Sequence, residues 1–202
     1  MPDTKLANAT GAYGLAISEY MLAGVLMLRK KLHLYQKNME QHLWKDEGEV
    51  LSIRDSVTLV VGLGDIGSQF AEKMHALGSE VIGVRKHKAA RPDYIKEVCQ
   101  QEDLDRLLPK ADSVACCMPG TGETAGMFDL ERMKKMKPGA ILINVGRGSL
   151  IPGEALKKML VEGHLGGAIL DVTEEEPLPA DSPLWDLPNL LITPHVSGNY
   201  HM

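Results

Sequence analysis

Three groups of polar residues follow apolar runs in the second half of the chain, and together they could reduce a carbonyl. Arg147 follows residues 140–145, three glutamates follow residues 168–172, and His195 follows residues 190–193. Carbonyl reduction needs a cation that holds the oxygen or a neighbouring carboxylate, a proton donor, and a group that orients this donor. These residues fit the three roles, because a carboxylate beside a histidine favours its protonated form. The glutamates are Glu174, Glu175 and Glu176.

Each of these residues also has an ordinary structural interpretation. Arg147 could cap a helix or form a surface ion pair, and His195 could be hydrogen bonded within a loop. The glutamates could form a solvated acidic turn. Their convergence favours a functional interpretation, because loops at the carboxyl ends of parallel strands meet at one sheet edge.

A glycine-rich turn, GLGDIG at 62–67, lies between a predicted strand and a predicted helix. Gly62 allows a tight turn, Gly64 allows a phosphate to approach the backbone, and Gly67 allows close packing of helix on strand. The start of the helix offers free N–H groups to an anion. The turn therefore predicts a dinucleotide site. Its expected cofactor-binding residues are Gly62, Gly64, Asp65, Ile66 and Gly67.

The end of the second strand indicates which cofactor binds. NAD-binding units usually carry an acidic residue here for the ribose hydroxyls, whereas this chain has Arg85, followed by Lys86, His87, Lys88 and later Arg91. A guanidinium can clamp a ribose 2′-phosphate with paired charge-assisted hydrogen bonds. We therefore expect NADP(H) to be favoured over NAD(H), with Arg85 and Lys86 at the site. The basic run could instead be a solvated loop.

The composition indicates an ordinary globular protein. The chain has 202 residues, of which 44% are hydrophobic and 24% charged, and its net charge of −5 argues against a nucleic-acid partner. Cys99, Cys116 and Cys117 form no CxxC pair, so we interpret them as buried thiols of a reducing compartment rather than as catalytic thiols. The apolar stretch 11–28 contains Glu19, which favours a buried helix over a membrane span. We expect a cytoplasmic protein with no signal peptide, membrane contact or metal site.

Alternating strands and helices predict an α/β fold with a doubly wound parallel sheet and helices on both faces. A leading helix over 12–33 is apolar on more than one face, so it must pack against the sheet, a second subunit or both. A more amphipathic helical piece continues over 34–44. We expect a leading helical segment at 1–50 and a nucleotide-binding domain at 51–202. Strands are expected at 57–61, 81–84, 97–99, 112–118, 140–145, 168–172 and 190–193, and helices at 66–77, 102–108, 129–136 and 153–162.

Four motifs resemble those of the nucleotide-binding domain of the D-2-hydroxyacid dehydrogenase family, which includes glyoxylate/hydroxypyruvate reductases and phosphoglycerate dehydrogenases. They are GLGDIG at 62–67, NVGRGSLI at 144–151, LDVTEEEPLP at 170–179 and LLITPHVSG at 190–198. The resemblance implies a Rossmann-like fold, a substrate-binding Arg147, and a Glu176 that pairs with the acid/base His195. The remaining cofactor-binding residues it implies are Pro119, Thr124, Val145, Gly146, Arg147, Asp171, His195, Ser197 and Gly198.

The sequence also departs from the family pattern, because the family's mostly N-terminal substrate-binding domain is largely absent. Residues 8–20, NATGAYGLAISEY, resemble the segment that enters the nucleotide-binding domain, whose long helix usually lies at a dimer interface. We therefore expect a homodimeric cofactor-binding domain of an NADPH-dependent reductase of small 2-oxo acids, with little or no turnover by itself. The alternatives are a catalytically silent nucleotide-binding or dimerisation module and, without a specific supporting feature, formate oxidation.

Overall fold

A seven-stranded, entirely parallel sheet forms the centre of the molecule. The computed structural model describes residues 9, 11–87 and 90–199. The strand order is β3-β2-β1-β4-β5-β6-β7, which confirms the predicted Rossmann-like, doubly wound fold. The strands are β1 (Val57–Val61), β2 (Glu80–Val84), β3 (Glu97–Cys99), β4 (Ser113–Cys116), β5 (Ile141–Asn144), β6 (Gly167–Leu170) and β7 (Leu190–Ile192).

Six α-helices accompany the sheet in the described residues. Four short 3-10 turns lie at Gln101–Asp103, Leu108–Lys110, Gly148–Leu150 and Pro183–Asp186. The helices are α1 (Gly14–Arg29), α2 (Leu32–Glu40), α3 (Asp65–Ala76), α4 (Leu104–Leu107), α5 (Leu130–Met133) and α6 (Gly153–Val161).

Two separate apolar cores lie on the two faces of the sheet. Successive strand side chains point to opposite faces, so Leu59 of β1 enters one core and Val60 the other. The first core also contains apolar residues of α4, α5 and α6, and the second contains those of α1 and α3. Helices therefore cover both faces, as predicted. Burial on both sides explains why β1 and β5 are apolar except for the buried Thr58 and Asn144.

The prediction of one helix over 12–33 is wrong, because the helix ends before two lysines. α1 ends at Arg29, Lys31 has a left-handed backbone with a φ of 56°, and α2 occupies Leu32–Glu40. α1 nevertheless packs on the sheet, as the apolar pattern required. Its Gly24 lies so close to β6 that an added Cβ would stand 2.8 Å from Ile169 Cδ1. The division into 1–50 and 51–202 stays a prediction.

Other predicted elements exist but are shorter or shifted. The helix expected over 129–136 is the single turn α5, and the strand expected over 112–118 ends at Cys116, because the next residues enter a loop. All three cysteines are unpaired, and burial raises the pKa of the Cys116 thiol well above its ordinary value. The helices of the described ranges fall short of the length and hydrophobicity that a bilayer crossing requires.

Candidate functional site

The turn after β1 combines two glycines that the fold requires with one that faces open space. Gly62 has a φ of 103°, and an added Cβ would lie 2.8 Å from the carbonyl of Cys117. A Cβ on Gly67 would lie 2.0 Å from the Gly62 carbonyl oxygen, whereas one on Gly64 would meet nothing within 4 Å. The first N–H groups of α3 have no intrahelical acceptor. The open space at Gly64 and these donors fit an anionic group.

The side chain of Asp65 connects this turn to α1. Its Oδ2 accepts hydrogen bonds from the backbone N–H groups of Gly14, at 3.0 Å, and Gly11, at 3.2 Å. Its Oδ1 accepts one from the Gln69 amide at 2.9 Å. The carboxylate therefore holds the start of α1 against α3, a role that sequence reasoning missed. The cofactor roles of Asp65 and of the partly buried Ile66 stay predictions.

A cavity of about 410 Å³ lies beside the glycine turn, between the ends of β2 and β4. Predicted cofactor residues in its lining include Arg85, Lys86, Pro119 and Thr124. Arg85 Nη2 donates to the Leu63 carbonyl at 3.0 Å, while its buried Nε has no partner within the described part of the chain. Leaving a buried N–H unpaired is unfavourable. This free donor, with the cationic lining, fits a phosphate-bearing ligand such as a nicotinamide dinucleotide.

The other basic residues near Arg85 make different contacts. Lys86 Nζ pairs with Glu123 Oε2 at 2.6 Å, and both side chains are exposed. Arg91 donates to the carbonyl of Ile95 in its own segment, and Lys88 lies outside the described residues, as do Asn8 and Thr10 of the N-terminal motif. Thr124 Oγ1 donates to the Pro119 carbonyl at 3.0 Å and so shapes the loop after β4.

The second part of the site is organised by Asp171, which follows β6 and is 2% exposed. Its carboxylate accepts hydrogen bonds from the hydroxyl of Thr193 at 2.6 Å and the N–H of Val196 at 2.9 Å. It also accepts from the N–H of Ser197, at 3.0 Å, and from the Ser197 hydroxyl. All of these donors lie in residues 193–198, here called the histidine loop. Asp171 therefore holds the histidine loop in place.

Tyr20 of α1 extends this network. Thr193 has one hydroxyl proton, and an ionised carboxylate can only accept, so Thr193 donates to Asp171 and accepts from Tyr20 Oη at 2.7 Å. The Tyr20 hydroxyl is protonated at neutral pH, and burial raises its pKa further, to about 12. An added Cβ on Gly198 would lie 3.1 Å from Tyr13 Cδ1, so this end of the loop also lies against α1.

The structure brings His195 and Glu176 together. His195 Nδ1 and Glu176 Oε2 are 2.8 Å apart, and Glu176 Oε1 accepts from the N–H of Thr173 at 3.2 Å. Because an ionised carboxylate can only accept, Nδ1 carries a proton, and Nε2 stays available at the opposite side of the ring. His195 has a φ of 57°, and its N–H donates to the Asp171 carbonyl at 2.8 Å. Both side chains line a cavity of about 400 Å³.

Arg147 occupies an exposed position between two close loop contacts. Added Cβ atoms would lie 2.4 Å from the Met118 carbonyl oxygen at Gly146 and 1.7 Å from the Thr173 carbonyl oxygen at Gly148. The two glycines therefore allow the loops after β4, β5 and β6 to meet, a packing role that sequence reasoning missed. Arg147 Nη1 donates to the Gly146 carbonyl at 2.7 Å.

Within the residues that the structure describes, Arg147 forms no ion pair with Glu176 or another acid. Its substrate role stays a prediction, as do the cofactor roles of Val145, Gly146, Asp171, Ser197 and Gly198. In the same residues, no group of three or more His, Cys, Asp or Glu side chains could hold a metal ion.

Comparisons with known proteins agree with the geometry. The family described as D-isomer specific 2-hydroxyacid dehydrogenase, NAD binding domain, matches residues 22–197. A (S)-sulfolactate dehydrogenase of Chromohalobacter salexigens is 36% identical over 98% of this chain and 65% of its own length. A glyoxylate/hydroxypyruvate reductase B of Pectobacterium carotovorum is 41% identical over 70% of this chain and 44% of its own length. The chain thus spans less than two thirds of these relatives.

Solved structures show the same likeness. A D-isomer specific 2-hydroxyacid dehydrogenase family protein of Aeromonas salmonicida superposes with a TM-score of 0.89, with 40% identity over 97% of this chain and 63% of that one. A probable 2-hydroxyacid dehydrogenase of Rhizobium etli, in complex with NADP, HEPES and L(+)-tartaric acid, gives a TM-score of 0.88, with 30% identity over 100% of this chain and 64% of that one. The chain therefore belongs to the D-isomer specific 2-hydroxyacid dehydrogenase family and contains its NAD-binding domain.

Proposed function

We propose that this chain is the cofactor-binding part of an NADPH-dependent reductase that converts a small 2-oxo acid, of the glyoxylate or hydroxypyruvate kind, to the 2-hydroxy acid. The observation that carries this proposal is the 2.8 Å contact between His195 Nδ1 and Glu176. The pair lies at the same sheet edge as the glycine turn, where doubly wound sheets bind their ligands.

The residues divide the chemistry as follows. A bound nicotinamide dinucleotide supplies the hydride. Glu176 accepts the Nδ1–H of His195 and orients the ring, so that Nε2 can give a proton to the oxygen of the reduced carbonyl. Arg147, exposed at the end of β5, holds the substrate carboxylate by charge-assisted hydrogen bonds.

Arg85 supports the preference for NADPH. It lies at the end of β2, lines the cavity beside the glycine turn, and has one donor, Nε, without a partner among the described residues. We expect a fluorescence titration of this chain to give NADPH at least tenfold tighter binding than NADH, about 1.4 kcal/mol. Arg85→Gln should remove most of this difference, whereas Arg106→Gln, an exposed ion-paired arginine, should leave it unchanged. Tighter binding of NADH by the unmodified chain would contradict the preference.

The catalytic part of the proposal is tested in a longer protein that joins this chain to a substrate-binding domain of the family. His195→Ala should lower kcat for glyoxylate by about 10²- to 10⁴-fold, because a positioned acid contributes that much. Glu176→Gln should lower kcat less, because the amide oxygen can still accept the Nδ1–H of His195. Unchanged turnover in His195→Ala would refute the role of His195. A joined protein that binds NADPH without reducing any 2-oxo acid would favour a silent nucleotide-binding module.

We also propose that the chain forms a homodimer through α2 and the segment after it. Trp44 is fully exposed, and Met39, Leu43, Val50 and Leu51 are exposed near it in sequence. Exposed apolar residues in such density are typical of protein–protein interfaces. Light scattering should give twice the chain mass, and Trp44→Ser should shift it toward the monomer. Val161→Ser, which changes an exposed residue of α6, should not. A monomeric unmodified chain would refute the dimer.

The three unpaired cysteines support a cytoplasmic location, because thiols persist in reducing compartments. Fractionation of cells that produce the protein, with a disulfide-bonded secreted protein as control, tests this. Recovery with the secreted fraction would contradict it.

A further inference from the structure

The ion pair between Lys86 and Glu123 joins two loops that line the cavity beside the glycine turn. Lys86 follows β2 and Glu123 lies in the loop after β4, 37 residues away, and both line this cavity. Their side chains are 64% and 71% exposed. The pair of Lys134 with Glu131, by comparison, joins neighbouring residues of one helical turn. The pair at the cavity instead joins the two loops between which a ligand would lie.

The carboxylate changes the charge that this cavity presents. Arg85 and Lys86 contribute two positive charges to its lining, and Glu123 contributes one negative charge. The hydrogen bond from Lys86 lowers the pKa of Glu123, so Glu123 is ionised at neutral pH. A phosphate monoester carries a charge of about −1.5 to −2 at this pH. A ribose 2′-phosphate would therefore compete with Glu123 for Lys86 and would be repelled by the carboxylate.

A ribose without the phosphate meets a different environment. Its hydroxyl groups donate hydrogen bonds, and acidic side chains serve as their acceptors in NAD-binding units. In this chain, Arg85 stands where such an acid usually follows the second strand, and Glu123, in the loop after β4, is an acid that also lines the cavity. Arg85 and Glu123 thus act in opposite directions on the choice of cofactor.

We propose that Glu123 is a specificity-determining residue that weakens the preference for the 2′-phosphorylated cofactor by engaging Lys86. This inference rests on the proposed function, which makes a nicotinamide dinucleotide the ligand of the cavity. Arg85 establishes the preference for NADPH, and the ion pair limits how large that preference becomes.

The test compares the affinities of this 202-residue chain for NADPH and NADH in four forms: unmodified, Glu123→Gln, Lys86→Gln and the double variant. Glu123→Gln should tighten NADPH binding about fivefold and change NADH binding less than about twofold, as expected for one exposed charge near a phosphate. In the Lys86→Gln background, the gain should fall, because part of it comes from the freed lysine. Raised ionic strength should also reduce the gain in NADPH affinity that Glu123→Gln produces. Glu131→Gln, which removes an equally exposed ion-paired carboxylate, should change neither affinity.

The outcomes separate this inference from the proposed function. Tighter NADPH binding by an unmodified chain whose Glu123→Gln variant shows no gain would overturn the inference and leave the proposed function standing. Preference of the unmodified chain for NADH, with a gain for NADPH in Glu123→Gln, would overturn the NADPH preference and support the inference. Absence of binding for either cofactor would overturn both. An equal gain for both cofactors would also overturn the inference, because it would not depend on the phosphate.

Discussion

Asp171 and Glu123 are two carboxylates near the same sheet edge, but their environments are opposite. Asp171 is 2% exposed, and its carboxylate accepts hydrogen bonds from three residues of the histidine loop. Glu123 has a side chain 71% exposed and, among the described residues, pairs with Lys86. A buried polar group whose hydrogen bonds are all satisfied makes the surrounding structure rigid. An exposed ion pair contributes little to stability and remains free to exchange partners with a ligand.

The difference indicates how the two parts of the site divide their tasks. The part formed by β6 and β7 holds one histidine in one geometry, because a buried carboxylate fixes the loop that carries it. The part formed by β2 and β4 presents charges that can rearrange around a ligand. Substitutions in the first part should therefore reduce stability, and those in the second should alter affinity.

The largest expected effect is that of Asp171→Ala. It leaves the donors of Thr193, Val196 and Ser197 without an acceptor, so we expect a loss of about 3 kcal/mol or more in the free energy of unfolding, measured with urea. Asp171→Asn, which keeps one acceptor oxygen, should lose less. A loss below about 1 kcal/mol for the alanine variant would show that Asp171 does not hold the histidine loop.

A pair of glycine substitutions gives the next largest effect. Gly148→Ala places a methyl group 1.7 Å from the Thr173 carbonyl oxygen, so it should lose about 2 to 3 kcal/mol. Gly64→Ala meets no protein atom within 4 Å, so it should keep its stability and lose affinity for the cofactor. Thermal unfolding and fluorescence titration of both variants measure these outcomes. Equal destabilisation by the two substitutions would contradict the open space at Gly64 and the close packing at Gly148.

Tyr20→Phe should have a smaller effect, about 1 kcal/mol at neutral pH, because it removes one hydrogen bond to Thr193. Burial raises the pKa of Tyr20 from 10.0 to about 12. A raised pKa in the folded state stabilises the fold below the unfolded pKa, and this contribution is lost as the pH rises through the folded value. The advantage of the unmodified chain over Tyr20→Phe should therefore shrink between pH 10 and about 12. Urea unfolding at several pH values measures this stability advantage. An advantage that stays constant with pH would contradict the raised pKa of Tyr20.

The smallest effect on stability is expected for Glu123→Gln. An exposed ion pair stabilises proteins by less than about 1 kcal/mol, so the midpoint of urea unfolding should match that of Glu131→Gln. A clear loss in Glu123→Gln alone would place Glu123 among the residues that hold the fold, as Asp171 does.

The sheet was largely predictable from local sequence patterns. β1 has the predicted bounds, because its apolar run ends at Gly62, whose positive φ belongs to a turn. The end of α1 was not predictable in this way. Lys31 adopts a left-handed backbone without being glycine or asparagine, and the apolar pattern continues on both sides of it. The left-handed position therefore depends on tertiary packing rather than on local preference.

The candidate site likewise contains contacts that the sequence predicts and contacts that it does not. The contact between Glu176 and His195 was predictable from the sequence, because each residue lies in a recognisable motif at a strand end. The partnership of Tyr20 with Thr193 joins residues 173 positions apart, and a tyrosine on an apolar helix carries no signal of it. The pairing of Lys86 with Glu123 likewise depends on two loops that only the completed sheet brings together. The packing roles of Gly146 and Gly148 had a weak signal, since glycines flank an arginine directly after a buried strand.

The packing of α1 on the sheet also affects the order in which the domain can fold during synthesis. Within this domain α1 is translated before every strand, yet Gly24 packs on Ile169 of β6 and Tyr20 bonds to Thr193 of the histidine loop. Contacts between such distant residues close late and slow folding. The apolar face of α1 therefore stays uncovered until β6 and β7 have been translated, which makes the nascent domain prone to aggregation until that point.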